Sequence, residues 1–150
     1  MIKLYKINNH LHKTMENMEK KESILEAAKR NFEAWNNALQ TKNPAEVAKL
    51  YRDDCVFLPT FPEEGQEVVG KNGVENYFKH FLTKNPFGVI MEEKVSKLGD
   101  DSYSYAGLYN FLVGPEDNRS TARAKFTYIY KKDEAGNWGI LLHNSSPLNK

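Results

Sequence analysis

Arg123 and Lys125 stand two residues apart in a stretch that alternates like a strand, and His143 follows in the next such stretch. Arginine offers a planar fork of donors, lysine a point charge, and histidine a ring that titrates near neutral pH. Brought together with the hydroxyl of Tyr109, they would capture a small anion such as a carboxylate through charge-assisted hydrogen bonds. A plainer reading uses the same residues. Arg123 and Lys125 can be solvated charges, paired with Glu92 or Glu93 across a ladder, and a single histidine in an apolar strand is commonly a packed, hydrogen-bonded residue. Asp53 and Asp54 could work as acid and base at a pocket rim, or simply form the turn between a helix and a strand.

Other chemistry is excluded by pattern. Ser145-Ser146-Pro147 has neither the flanking glycines nor the strand-to-helix setting of a nucleophile elbow. Phosphate-binding loops, dinucleotide fingerprints and zinc or calcium motifs do not occur, and Gly70-Lys71-Asn72-Gly73 reads as a helix entry. Cys55 is the single cysteine, so there is no intrachain disulfide or cysteine-based metal site. It reads as a small buried hydrophobe in a reducing compartment. No metal or cofactor is expected. With 21 basic and 20 acidic residues the net charge is +1, which provides no field for nucleic acid or an anionic membrane. No apolar run approaches the roughly 20 residues needed to span a bilayer, and the expected location is cytoplasmic.

The elements that must position these residues follow from periodicity. The 150 residues, 40% of them hydrophobic, suit one core. Residues 1–20 read as a lead-in and 21–150 as a single domain. Ser23 and Glu26 have capping-box form, and Ile24, Ala28, Trp35 and Leu39 recur at helical spacing, predicting a helix from about Glu19 to Gln40. Asn43-Pro44 starts a short helix to about Tyr51, ended by Asp53-Asp54, and Cys55–Thr60 reads as a strand. After a loop over 61–66, a helix opens at Gly70 with Val74, Tyr77, Phe78, Phe81 and Leu82 on one stripe. Turn signals then divide four antiparallel strands at about 89–98, 102–113, 120–132 and 138–145. Helices before strands indicate an α+β fold, a curved sheet folded around the first helix.

Alternation along the third of these strands puts Arg123, Lys125, Thr127 and Ile129 on one face and Ala124, Phe126, Tyr128 and Tyr130 on the other. Gly139, Leu141, His143 and Ser145 alternate in the same way with Trp138, Ile140 and Leu142. The expectation is that Arg123, Lys125, His143 and Tyr109 point into the concave mouth.

The run Leu50-Tyr51-Arg52-Asp53-Asp54-Cys55-Val56-Phe57-Leu58-Pro59-Thr60, preceded by Trp35-Asn36-Asn37-Ala38-Leu39 and followed by Tyr77-Phe78-Lys79-His80-Phe81, resembles the nuclear transport factor 2-like (SnoaL-like, cystatin-like) superfamily. Ala124–Tyr130 and Trp138–Pro147 narrow the resemblance to the branch related to the association (hub) domain of calcium/calmodulin-dependent protein kinase II and to SgcJ/EcaC-type proteins. The resemblance implies a cone-shaped α+β fold with a pocket at one end, and a homodimer or larger ring formed through an outer sheet face, here expected at Phe126, Tyr128 and Tyr130. It implies neither kinase activity of its own nor calmodulin as a partner. Lys125 stands where relatives carry arginine, Asn144 where they carry a second histidine, and Tyr109 where kinase hubs place a pocket arginine. Ketosteroid isomerases share the superfamily, but Val56-Phe57-Leu58 is apolar where their catalytic base lies, which sets that activity aside.

Together these readings lead to a non-catalytic association module whose pocket holds a small carboxylate-like ligand through Arg123, Lys125 and His143, with Tyr109 and Trp35 as walls. The alternative is a SnoaL-like enzyme of isomerase, cyclase or hydrolase type, acting on an apolar small molecule with His143 or Asp54 as acid/base.

Overall fold

The computed structural model describes residues 22–60 and 68–148; the expected lead-in over 1–20 and the loop over 61–66 lie outside the described residues. The first helix, α1 (Ile24–Gln40), starts later than the Glu19 expected from periodicity. Ser23 is extended and its hydroxyl accepts the Glu26 N–H at 3.1 Å, so it caps the helix rather than lying inside it. α2 (Pro44–Ala48) is capped by Asn43, whose side chain accepts the Ala45 N–H. β1 (Tyr51–Leu58) begins four residues before Cys55, because Leu50 already accepts the Ile140 N–H. Asp53 and Asp54 are therefore not a turn after a helix. They are exposed residues in an irregular stretch of that strand, between the Tyr51 and Val56 pairings.

A short β2 (Val68–Val69) leads into α3 (Gly70–Phe81), and the long antiparallel strands follow as β3 (Phe87–Gly99), β4 (Ser102–Val113), β5 (Ser120–Lys132) and β6 (Trp138–Pro147). All six strands form one sheet in the order β2-β1-β6-β5-β4-β3, with β1 parallel to β6. No helix among the described residues is long and apolar enough to cross a membrane.

Register decides which side chains face α1. Tyr103 lies opposite Tyr130, Tyr105 opposite Tyr128, and Tyr109 opposite Ala124, and directly opposed residues share a face of the sheet. The face carrying Tyr109 therefore also carries Phe126, Tyr128 and Tyr130. All three are buried in the core and do not form an outer packing surface. Tyr128 meets Phe32 and Trp35 of α1 edge to face. Arg123 and Lys125 project from the opposite side and are exposed. The assignment that placed these cations inward is reversed for a physical reason: burying aromatic rings is favourable, whereas removing two cations from water costs several kcal/mol each. Glu92 shares the outer row with Lys125 but is separated from it by Leu108, while Glu93 pairs with Lys29 at 3.4 Å and accepts from the Tyr105 hydroxyl.

Bulges bend the sheet, two of them near the core. In β3 the register shifts between Ile90 and Glu92, and the Glu92 carbonyl approaches β4 so closely that a Cβ on Gly107 would lie 1.9 Å from its oxygen. In β6 the register shifts at Leu141, so Ile140 and His143, which strict alternation puts on opposite faces, are both buried. Asn36 fastens α1 to β3. Its buried amide donates to the Gly88 carbonyl at 2.9 Å and accepts the Gly88 N–H at 2.8 Å.

Asn36→Ala leaves that buried N–H and C=O without partners, so the expected loss is about 2–4 kcal/mol, summing the cost of two unsatisfied groups. Urea unfolding measures it, and a change under about 1 kcal/mol would show that the clamp is not what holds the helix to the strand.

Candidate functional site

Three elements deliver side chains to one point beneath α1. Trp35 comes from α1, Tyr51 from the start of β1 and His143 from β6, the last turned inward by the Leu141 bulge. The Trp35 indole N–H donates to the Tyr51 hydroxyl at 3.1 Å. That hydroxyl meets His143 Nδ1 at 2.8 Å, and His143 Nε2 faces the Tyr109 hydroxyl at 3.3 Å. Tyr109 donates to Ser145 Oγ, and Ser145 meets the hydroxyl of Thr60. The result is a continuous line of six polar side chains through an aromatic core.

Its direction follows from chemistry. An indole N–H can only donate, so Tyr51 accepts from Trp35 and its own hydrogen goes to Nδ1. His143 therefore carries its proton on Nε2 and donates to Tyr109, in keeping with the donation from Tyr109 to Ser145. The imidazole lies between rings, stacked on Tyr128 at 4.0 Å and on Phe57 at 4.7 Å between centroids, with the edge of Trp35 against it. Burial pushes its pKa down to about 3. Burial also raises the pKa of the Tyr51 and Tyr109 hydroxyls, so the whole line is uncharged at neutral pH.

A narrow pocket, with an enclosed volume of about 10 Å³, ends on this line. Phe57, Tyr77, Phe78, Phe81 and Phe111 wall it together with Trp35, and its polar atoms come from Tyr109, His143, Ser145 and Thr60. Of the expected ligand-binding residues, the structure brings Trp35, Tyr109 and His143 together and places Arg123 and Lys125 on the far side of the sheet. No cationic side chain lines the pocket among the described residues, so the carboxylate grip expected from Arg123, Lys125 and His143 does not form. Asp54, the other candidate acid/base, is exposed, paired with Arg52 at 2.9 Å and outside the pocket.

Sequence reasoning missed Tyr51, Thr60 and Ser145. The available signal was a polar residue at an inward strand position, since such a group needs a buried partner.

A depressed histidine pKa couples stability to pH. Between the ordinary value of 6.5 and about 3, the unfolded chain takes up a proton that the folded protein does not. Stability from this group is thus present above pH 6.5 and lost as pH falls through that window, at up to about 1.4 kcal/mol per pH unit. Urea unfolding between about pH 7 and pH 5 should show this slope in the wild type and a shallower one in His143→Gln. Equal slopes would contradict the buried neutral imidazole.

The family pattern described as calcium/calmodulin dependent protein kinase II association domain matches residues 26–149. Among solved structures, a protein from Xanthomonas campestris named for that association domain is 38% identical, with a TM-score of 0.80 over 86% of this chain and 91% of its own. An uncharacterised cystatin-like protein from Caulobacter vibrioides is 14% identical, with a TM-score of 0.68 over 83% of this chain and 89% of its own. A nuclear transport factor 2-like protein from Streptomyces avermitilis, named as a dehydratase, is also 14% identical, with a TM-score of 0.67 over 84% of this chain and 97% of its own. The last two show the shared fold alone. No curated protein matches the chain. The chain belongs to the calcium/calmodulin dependent protein kinase II association domain family, within the nuclear transport factor 2-like, cystatin-like fold.

Proposed function

We propose that the protein is a non-catalytic association module in which copies of the chain pair through the outer face of the sheet while the inner face holds a small molecule. The observation that carries this reading is the make-up of the outer face. Val56, Leu142 and Ile129 stand side by side across three strands, with Ala106 and Thr127 opposed in the next row, all of them only half-buried. Leu108 and Lys125 follow, and then Asn110 and Arg123. An apolar centre bordered by polar and charged residues is the composition of a protein interface. In this reading Arg123 and Lys125 belong to its rim. The family description supports self-association, and the inner residues first expected at that surface are occupied within one subunit.

The state of His143 supports a binding role over a catalytic one. Both ring nitrogens are engaged by tyrosine hydroxyls inside the core, and the imidazole stays neutral through the physiological range. A general acid or base needs a nitrogen within hydrogen-bond reach of the substrate and a pKa near working pH. His143 meets neither condition, and Asp54 does not reach the pocket.

Light scattering over a dilution series tests the association. The wild type should give a dimer or a larger closed assembly, and Ile129→Asp should shift it toward the 17.3 kDa monomer while circular dichroism stays unchanged. A monomeric wild type at tens of micromolar, or an Ile129→Asp variant that remains fully assembled, would overturn the interface.

A further inference from the structure

Three loops meet on Asn85. It closes the single helical turn Leu82–Lys84 with left-handed backbone at φ 53°, and its side-chain amide donates to the Gly114 carbonyl at 3.1 Å. Its two oxygens hold two cations. The side-chain oxygen accepts from the Lys42 ammonium, which comes from the loop between α1 and α2. The backbone carbonyl accepts from Arg119 Nη1 at 2.7 Å, at the end of the turn between β4 and β5. Arg119 Nη1 also donates to the Leu112 carbonyl at 3.2 Å, so the half-buried guanidinium is fixed along one edge by neutral acceptors. Its other edge, formed by Nε and Nη2, has no protein acceptor among the described residues. Elsewhere in the chain that same edge clasps carboxylates. Arg30 takes both oxygens of Glu22 at 2.7 and 3.0 Å, and Arg52 both oxygens of Asp54 at 2.9 and 3.4 Å. Neither Arg119 nor Lys42 forms an ion pair among the described residues. Burial holds the Lys42 ammonium below its ordinary pKa and the neighbouring Arg119 charge adds to this, which Glu116, from the same turn as Arg119, only partly offsets.

We infer that Arg119 and Lys42 form a binding site for a phosphate-type oxyanion, two of whose oxygens take the Nε and Nη2 hydrogens of Arg119 while a third takes a hydrogen of the Lys42 ammonium. Parallel N–H groups on a planar guanidinium match two oxygens of one anion, and a lysine adds a point charge beside them. Lys42 spends one of its three hydrogens on Asn85 and keeps two. Because Asn85 and Leu112 already hold the fork in place, binding does not carry the ordering cost of a long free side chain. A carboxylate has two oxygens and one charge, enough for the fork alone, whereas a phosphate reaches both cations. The site lies at the opposite end of β5 from Ile129, so it stands apart from the outer apolar patch and from the inner pocket.

The test follows the Arg119 Nε–H and Asn85 side-chain amide signals of the full chain by NMR near neutral pH, with sodium chloride adjusted to hold ionic strength constant. Inorganic phosphate should move both saturably, with half-saturation at about 1–10 mM and several-fold tighter than acetate. Read on Asn85, Arg119→Lys, which keeps the charge and loses the fork, should weaken phosphate binding about fivefold and Lys42→Gln about threefold, whereas Glu116→Gln should tighten it about twofold. Glycerol phosphate titrated beside inorganic phosphate separates the sources, the tighter of the two assigning the site to a phosphomonoester or to the free ion. A shift that stays linear to about 50 mM phosphate, or that chloride reproduces, is ionic screening alone and overturns the site. Acetate binding as tightly as phosphate, or phosphate affinity unchanged in Lys42→Gln, overturns it as well. The Lys42 and Glu116 variants decide the question even where Arg119→Lys disturbs the turn.

Discussion

A histidine enclosed by Phe57, Tyr128 and Trp35 can remain there only if it is uncharged and both of its nitrogens are hydrogen-bonded, and much of the interior is arranged to meet that requirement. Tyr51 at the start of β1 meets one nitrogen and Tyr109 of β4 faces the other. Because Tyr51 is itself held by Trp35 of α1, the contact ties helix, first strand and central sheet together through side chains whose donor and acceptor roles leave a single consistent arrangement. The polarity set by one indole N–H is carried to the mouth of the pocket.

Sheet curvature makes this geometry available. The bulge in β6 brings Ile140 and His143 to the same face, one sealing the core under Tyr51 and Tyr130, the other entering the polar line. The bulge in β3, accommodated by the missing side chain at Gly107, lets the edge of the sheet follow α1, and the Asn36 clamp on Gly88 anchors that edge. The inside of the cone thereby becomes a closed aromatic core at one end and a narrow pocket at the other. The outer face carries the half-buried apolar residues Val56, Leu142 and Ile129.

Much of this organisation was legible in the residues. The limits of β4 and β5 fell at the turn signals, because Gly114-Pro115 and the Glu134–Asn137 turn cannot continue a strand. The family resemblance was carried by segment order and was correct. The facing of β5 was misread, because alternation sorts residues into two sets without saying which is inside. The missing information was parity: six residues separate the opposed pair Val113 and Ser120, so odd positions on β4 face even positions on β5. Tyr109 therefore belongs with Phe126 and Tyr128, not with Arg123 and Lys125. The Leu141 bulge left no residue-type signature, and without it Ile140 and His143 fall on opposite faces. The start of β1 was hidden in the same way, since Asp53 and Asp54 resemble turn residues but lie in an irregular part of the strand.

His143 is a link that stays neutral through the physiological range, protonated on Nε2, in a line of hydrogen bonds with one direction. Nitrogen-15 NMR of the labelled imidazole, followed from about pH 8 to pH 5, tests it directly. The expected result is a single neutral Nε2–H tautomer whose shifts do not move while the protein stays folded. A ring that titrates near 6.5, or one that carries its proton on Nδ1, would contradict the account.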